Sequence, residues 1–529
     1  MKRPTTRGDK LVLSSPSSRL ALFLVTTLFT LLFSLLLASC ISQAKLSPAQ
    51  IRQLNQVYQE ASRLFHQGDY FSLREAHTRF QSLLEQGYRS SSVQARLLET
   101  SALLTLREKE LAIPHHKFLA QAKYFLAQFP TSPEWSSLFQ TIETLPLELK
   151  GFANDMPGRK INPKISQLVE KKALTSSFWA YLYLHFFPYP QEEKNLKPQI
   201  EKTFRDSLLI KYKLTSSSSK SSEEIAQFLQ AHSSFKEIYF FLGSQLLKQG
   251  RLSAAEKWLK LAHEIFPDSL NIIITLSQLH FRLEEFQECL ALSNQAINLK
   301  PDFRDALLGK VMCLTYLARH EEAIATAWQL LKLGYYYLGE TNYWLAWNFH
   351  ALNQLDDAWQ HIEQAKKYLI GWNEVYSLAG KIALDQNNLS EAEKNFKEAL
   401  KLNPADCPSA FSLGKVYSQG ENWKISAIYY QQAGECYEHQ KKALKQEINE
   451  IQSSDLDGSR KIRLIQKKKS QLARLHLAQG TSFYNSAAGY FNAGLLQEAL
   501  KMADSASHYA QLKGKSNELI MRIKEEIKD

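Results

Sequence analysis

From residue 236 the chain repeats itself with a period of 34 residues, a constraint that few architectures can meet. One unit reads KEIYFFLGSQLLKQGRLSAAEKWLKLAHEIFPDS, residues 236–269. Counting 34 from Ala255 gives Cys289 and then Ala323; 35 more gives Ala358, and two further steps of 34 give Ala392 and Ser426. Pro267 and Pro301 stand one period apart, and Pro404 lies 103 residues beyond, three periods plus the one inserted residue. A unit this short cannot bury its own apolar face, so it stacks on its neighbours and shares a core with them. Composition says what stacks. The 529 residues include only 8 Val, 20 Gly and 16 Pro, among long runs of Leu, Ala, Lys, Glu and Gln that lose little rotamer freedom in a helix. The expected fold is all-α.

The frame resembles the tetratricopeptide repeat, a helical hairpin with small residues where its two helices cross and Pro after the second. Six units are read at 236–269, 270–303, 304–337, 339–372, 373–406 and 407 to about 440, and a seventh at 480–513. The small positions are Gly243, Ala255 and Ala262, then Ala296, Ala323, Ala346 and Ala358, Gly380, Ala392 and Ala399, Gly414 and Ala433, and Ala499. Pro267, Pro301 and Pro404 close second helices, and Tyr335 and Ile370 replace Pro in the third and fourth units. The resemblance implies a right-handed hairpin solenoid with a concave groove for partner peptides. Carried over place by place, the groove holds Phe240 and Lys248; Ile274, Gln278, Phe281 and Arg282; Leu308, Met312 and Tyr316; Tyr343, Trp347 and His350; Lys381 and Leu384; and Phe411 and Lys415. Its centre is aromatic and its ends are basic, which suits a peptide with apolar anchors and acidic flanks. Phe240 and Ser244 stand where the carboxylate clamp of chaperone-binding members wants Lys and Asn, so that specificity is not implied.

Residues 441–479 interrupt the array with two helical halves meeting at SSDLDGS. The simplest construction lengthens the second helix of the sixth unit and the first of the seventh into a protruding hairpin. Residues 441–474 hold ten Lys or Arg against four Asp or Glu. That composition fits a solvated charged face, or a basic finger for anionic lipid or an acidic partner. Ahead of the array, 47–213 has a helical pattern without the clean period and is expected to extend the hairpins in degenerate form, and 214–235 reads as a Ser-rich joint and entry helix. Residues 480–529 form the seventh unit and a capping helix.

The first 39 residues carry Lys2, Arg3, Arg7, Lys10 and Arg19, then twenty uncharged residues from Leu20 to Ser39. Leu37-Ala38-Ser39-Cys40 resembles the lipobox of bacterial lipoproteins, which implies cleavage of 1–39, acylation of Cys40 and a lipidated tether over 40–46. Ile41 in place of Asp fits sorting to the outer membrane, facing the periplasm, by the enterobacterial rule. The leader accounts for four of the eleven net positive charges, leaving +7 by subtraction, a weak argument for nucleic acid.

No GxxxxGK[ST], GxSxG, HExxH or CxxC pattern occurs, so no catalytic residue, metal or cofactor is assigned. His115 and His116 are adjacent and point apart on a helix. Four Cys remain beside Cys40, and the repeat places allow Cys289 to meet Cys313 and Cys407 to meet Cys436, as bridges or as buried thiols. The expectation is a lipid-anchored envelope scaffold that binds another protein or peptide, with its oligomeric state open. The alternative is a ligand-binding subunit of a solute-transport system, with a closed pocket ringed by Tyr343, Trp347 and His350.

Overall fold

A computed structural model describes residues 46–128 and 236–528 apart from single positions, together with a few residues between 136 and 143. The leader, Cys40, the tether, the joint at 214–235, Tyr335 and most of 129–213 lie outside the described residues. Among the described residues there are nineteen helices and no strand.

Four helices precede the array: α1 Pro48–Gln67, α2 Tyr70–Glu85, α3 Ser91–Glu110 and α4 Lys117–Gln128. The repeat units then follow as pairs: α5 Ile238–Lys248 with α6 Leu252–Ile265, α7 Leu270–Arg282 with α8 Phe286–Leu299, and α9 Arg304–Tyr316 with α10 His320–Lys332. Next come α11 Leu338–Ala351 with α12 Leu355–Tyr368, and α13 Asn373–Asp385 with α14 Leu389–Leu402. The sixth pair is α15 Cys407–Gln419 with the long α16 Trp423–Ser453, and the seventh is the long α17 Gly458–Asn492 with α18 Leu496–Ser507, followed by α19 Lys513–Lys528.

The period visible in the sequence returns in the backbone. Each hairpin turns on one left-handed residue: Gly250, Glu284, Ala318, Asn353, Asn387, Glu421 and Gly494, with φ between 56° and 76°. The next amide donates back over the turn, as in Glu285 N to His280 O at 2.8 Å and Asn388 N to Ala383 O at 2.8 Å, satisfying carbonyls that the helix end leaves free. Side-chain caps start several helices: Ser269 accepts from Ile272 N, Asn388 from Glu391 N and Asp406 from Ser409 N.

The small positions are where helices touch. A Cβ on Gly243 would lie 2.6 Å from Leu259, one on Gly380 2.6 Å from the Phe396 ring and one on Gly414 2.8 Å from Tyr430. Ala255, Ala262, Ala296, Ala323, Ala346, Ala358, Ala392, Ala399, Ala433 and Ala499 have no exposed surface. Pro267, Pro301 and Pro404 are exposed and sit just past the ends of α6, α8 and α14. First helices of neighbouring units touch one another, α5 with α7 and so on to α15, whereas second helices make no comparable contact among the described residues. The array therefore bends toward its first helices, which line the inner side.

The preceding hairpins join the same core. Leu73, Phe80 and Leu103 share one apolar cluster with Phe240, Leu259 and Leu276. Tyr70 N donates to Glu237 Oε1 at 2.6 Å and Leu270 N to Ala112 O at 3.2 Å. Two disulfides add covalent ties: Cys289 of α8 to Cys313 of α9 with Cα atoms 6.2 Å apart, and Cys407 of α15 to Cys436 of α16 at 5.5 Å.

Candidate functional site

The first-helix row carries a chain of aromatic rings. Phe281 at the end of α7 meets Phe286 and Tyr316 edge-on at centroid distances of 5.5 and 5.2 Å. Phe286 stacks on Tyr316 at 4.9 Å, and Tyr316 reaches Trp344 of α11 at 6.2 Å. Trp344 then touches Tyr343 and Trp347 at 5.2 and 6.1 Å. Tyr316 is 52% exposed, so the middle of this row presents a ring face to solvent. Exposed aromatic surface in an array gathers binding energy at low entropic cost.

The place-by-place expectation for the groove divides on burial. Lys248, Gln278, Arg282, Tyr316 and Lys415 are exposed, and Phe281, Leu308, Met312, Trp347, His350, Lys381, Leu384 and Phe411 are half-buried. Phe240, Ile274 and Tyr343 are corrected: at 2%, 5% and 7% exposure they are core, filling the joints between units instead of facing a groove. Burial pushes the Tyr343 phenol well above its usual range. His350 is half-buried, with Nε2 2.8 Å from Asp385 Oδ2 of the next unit. Tyr343 packs against Trp344 and Trp347 with ring centroids 5.2 and 6.1 Å away. Trp344 and Phe286 also belong to the aromatic row: Trp344 stands beside the assigned place Tyr343 in the aromatic stretch 334–350, and Phe286 starts a second helix, where the family pattern assigns no groove position.

The basic insertion is the larger surprise. Its helices α16 and α17 run antiparallel, meeting around Leu444, Ile448 and Leu464, and turn where Asp457 caps α17 by accepting from Arg460 N at 2.9 Å. The end of the hairpin does not stand free in solvent. Arg460 donates through Nη1 to Glu256 Oε2 at 2.5 Å, and through Nε and Nη2 to the two oxygens of Glu285 at 2.9 and 3.1 Å. Arg463 also pairs with Glu285, and Lys467 and Lys468 reach Glu284 at 3.4 and 3.9 Å. Glu256 lies just past the first turn of α6, Glu285 immediately precedes α8, and they are only 7% and 8% exposed. Burial alone would raise both carboxyls. Hydrogen bonds from Lys260 and Arg460 outweigh it at Glu256, as those from Arg460 and His280 do at Glu285, and hold both below the usual carboxylate range. Leu464 is buried in the core of the first units, with Ile451 and Leu456 packed beside it. The acidic partner of the basic finger is thus the beginning of its own array.

Among the described residues no group of three or more His, Cys, Asp or Glu could hold a metal ion, and no helix is long and apolar enough to cross a membrane.

The profile of the tetratricopeptide-repeat family matches residues 373–406, the fifth unit. No curated protein matches the chain. Solved structures similar to part of it include YrrB, described as a tetratricopeptide-repeat protein with an unusual peptide-binding site, at 19% identity, covering 34% of this chain and 91% of that one, with a TM-score of 0.29. A thermophilic tetratricopeptide-repeat protein of Thermus thermophilus is 18% identical over 35% of this chain and 99% of its own, with a TM-score of 0.30. MamA from Desulfovibrio magneticus is 17% identical over 32% and 96%, with a TM-score of 0.30. With about a third of the chain superposed, none of them bears on how the whole array is arranged.

Proposed function

The chain carries tetratricopeptide repeats, and from that premise we propose that it is a lipid-anchored scaffold of the bacterial cell envelope that binds a partner protein or peptide on its first-helix row. The observation that carries the reading is the continuous aromatic row from Phe286 and Phe281 through Tyr316 to Trp344 and Trp347, exposed at its middle. Aromatic anchors on a rigid curved support bury large area in a partner, and basic residues on the same row, Lys248, Arg282 and Lys415, favour acidic flanks.

The anchoring half of the proposal rests on Leu37-Ala38-Ser39-Cys40 after a basic, apolar leader. Acyl chains on Cys40, each worth about 0.8 kcal/mol per buried CH₂, hold the mature chain without a transmembrane helix. The outer membrane, on its periplasmic side, is the proposed location, and two disulfides accord with a compartment outside the cytoplasm. The role is that of an adaptor or assembly subunit, not of a catalyst.

The test is crosslinking of the full chain in native membranes followed by mass spectrometry. A single envelope protein is expected, lost in a Trp344→Ala, Trp347→Ala variant and reduced when Cys40→Ala releases the chain from the membrane. Capture of the same partner set by the double-Trp variant would remove the aromatic row as the binding site.

A further inference from the structure

We propose that the end of the basic hairpin, residues 451–468, is a strap that gates the aromatic row: docked on the first two units it keeps bulky partners out, and released it admits them. The proposal rests on the reading of the row as the binding site. It starts from closure. Six units pack in series from α5 to α16, and the hairpin grown from the sixth and seventh returns to the first and second through Arg460, Arg463, Lys467 and Lys468. A bent array whose two ends are joined is a closed circuit, and its inner face can be entered only by what fits the opening.

The receptor for the strap is built for a guanidinium. Two carboxylates on consecutive units converge on Arg460, each through both of its oxygens, and both are nearly buried. Two such groups side by side repel unless a cation lies between them. The apolar part of the junction is slight by comparison. Leu464 is buried, Ile451 and Leu456 are half-buried, and a cavity of about 440 Å³ stays open between the strap and the turns of the first two units, lined by Leu252, Arg282, Glu447 and Leu456 among others. Release of the strap withdraws Leu464 from the edge of the core and breaks the ion pairs, while the open gap leaves few other close apolar contacts to separate.

The strap also touches the row itself. Lys467 Nζ lies 5.8 Å from the centre of the Phe286 ring while pairing with Glu284. Phe286 is the ring on which Tyr316 stacks, and Arg282, which lines the cavity, belongs to the same inner face. Docking therefore covers one end of the row.

Gating is measured on the full chain with Tyr316→Cys in a Cys40→Ser background, the other four cysteines being paired in disulfides. Two thiol reagents are compared, N-ethylmaleimide and a polyethylene-glycol maleimide as bulky as a small protein, with and without Arg460→Glu and Arg463→Glu. The small reagent should label both proteins at one rate. The bulky one should label the charge-reversed protein several-fold faster, and adding Glu256→Lys with Glu285→Lys should return it to the slow rate, which also reports that the chain is folded. Hydrogen exchange over 451–468 reads the strap directly and should accelerate in the charge-reversed protein. Equal bulky labelling with a released strap would overturn the gating, and unchanged exchange would overturn docking by these ion pairs. Failure of the binding-site reading shows elsewhere, as partner capture indifferent to Trp344 and Trp347.

Discussion

Arg460 donates through Nε and Nη2 to both carboxylate oxygens of Glu285, at 2.9 and 3.1 Å, across 175 residues of chain. The same guanidinium holds Glu256, 204 residues away, so one side chain ties the first two units to the hairpin between the sixth and seventh.

The strap responds to acid with a definite sign. Glu256 and Glu285 titrate below the usual carboxylate range in the folded chain, so their contribution is full above the unfolded value near 4.5 and is lost as pH falls through the lowered folded values. Hydrogen exchange over 451–468, corrected for its intrinsic pH dependence, is expected to be constant from neutrality down to the unfolded carboxyl value of 4.5 and to accelerate only as pH falls below it. Acceleration at mildly acidic pH would point to another group.

Glu237 has the opposite sign. Burial raises its carboxyl to about 7 against the pull of Arg107, at the joint where it accepts from Tyr70 N. The fold binds a proton that the unfolded chain has released, so this joint weakens as pH climbs from 4.5 to about 7 and levels off above. Thermal melts of the Glu237→Gln variant should lose that part of the pH dependence. A variant with the wild-type slope would clear Glu237 of the role.

Two substitutions should reverse the usual ranking of Gly and Ala in helical proteins. Gly380→Ala places a Cβ 2.6 Å from the Phe396 ring and is expected to cost about 1–3 kcal/mol, more than the helix propensity it gains. Ala318→Gly relieves a left-handed alanine at φ 57° on the exposed surface and should stabilise by roughly 0.5–1 kcal/mol. Denaturant titration of the two variants beside the parent decides both signs.

Tyr316→Ala and Phe240→Ala separate surface from core. The first removes an exposed ring and should weaken partner capture while leaving the melting curve in place. The second empties a buried site and should cost about 3–5 kcal/mol of local stability. Matching effects on stability would show that Tyr316 and Phe240 do not differ as surface and core.

Peptide mapping without reductant should recover the Cys289–Cys313 and Cys407–Cys436 pairs. Cys407→Ser with Cys436→Ser unties α15 from α16 at the base of the hairpin and is expected to cost about 2–4 kcal/mol. Four reactive thiols in the oxidised protein would contradict both bridges.

The periodic part of this molecule was open to reading from sequence because the period is itself the physics: Ala255, Cys289 and Ala323 recur where helices cross, and the turn residues Glu284, Ala318 and Asn353 recur with them. The fifth unit, 373–406, is the one the family profile matches. What escaped has no period. Glu256 and Glu285 look like ordinary acids of second helices, and their meeting with Arg460 depends on the summed bend of six units, which no local spacing encodes. Phe240, Ile274 and Tyr343 stand at places that face the groove in an ideal unit, whereas a bulky residue on a first helix can turn into the joint with its neighbour and become core.

The left-handed turn residues and the paired helices make each unit a local structure, and an array of such units assembles from contacts a few tens of residues apart. The strap breaks that locality. Its ion pairs join residues 175 to 204 positions apart, so their loop-closure entropy is met only after the intervening units have already formed. Once made, they bind the fate of the first units to that of the last, and an array that would otherwise fray from its ends unfolds more nearly as one cooperative body.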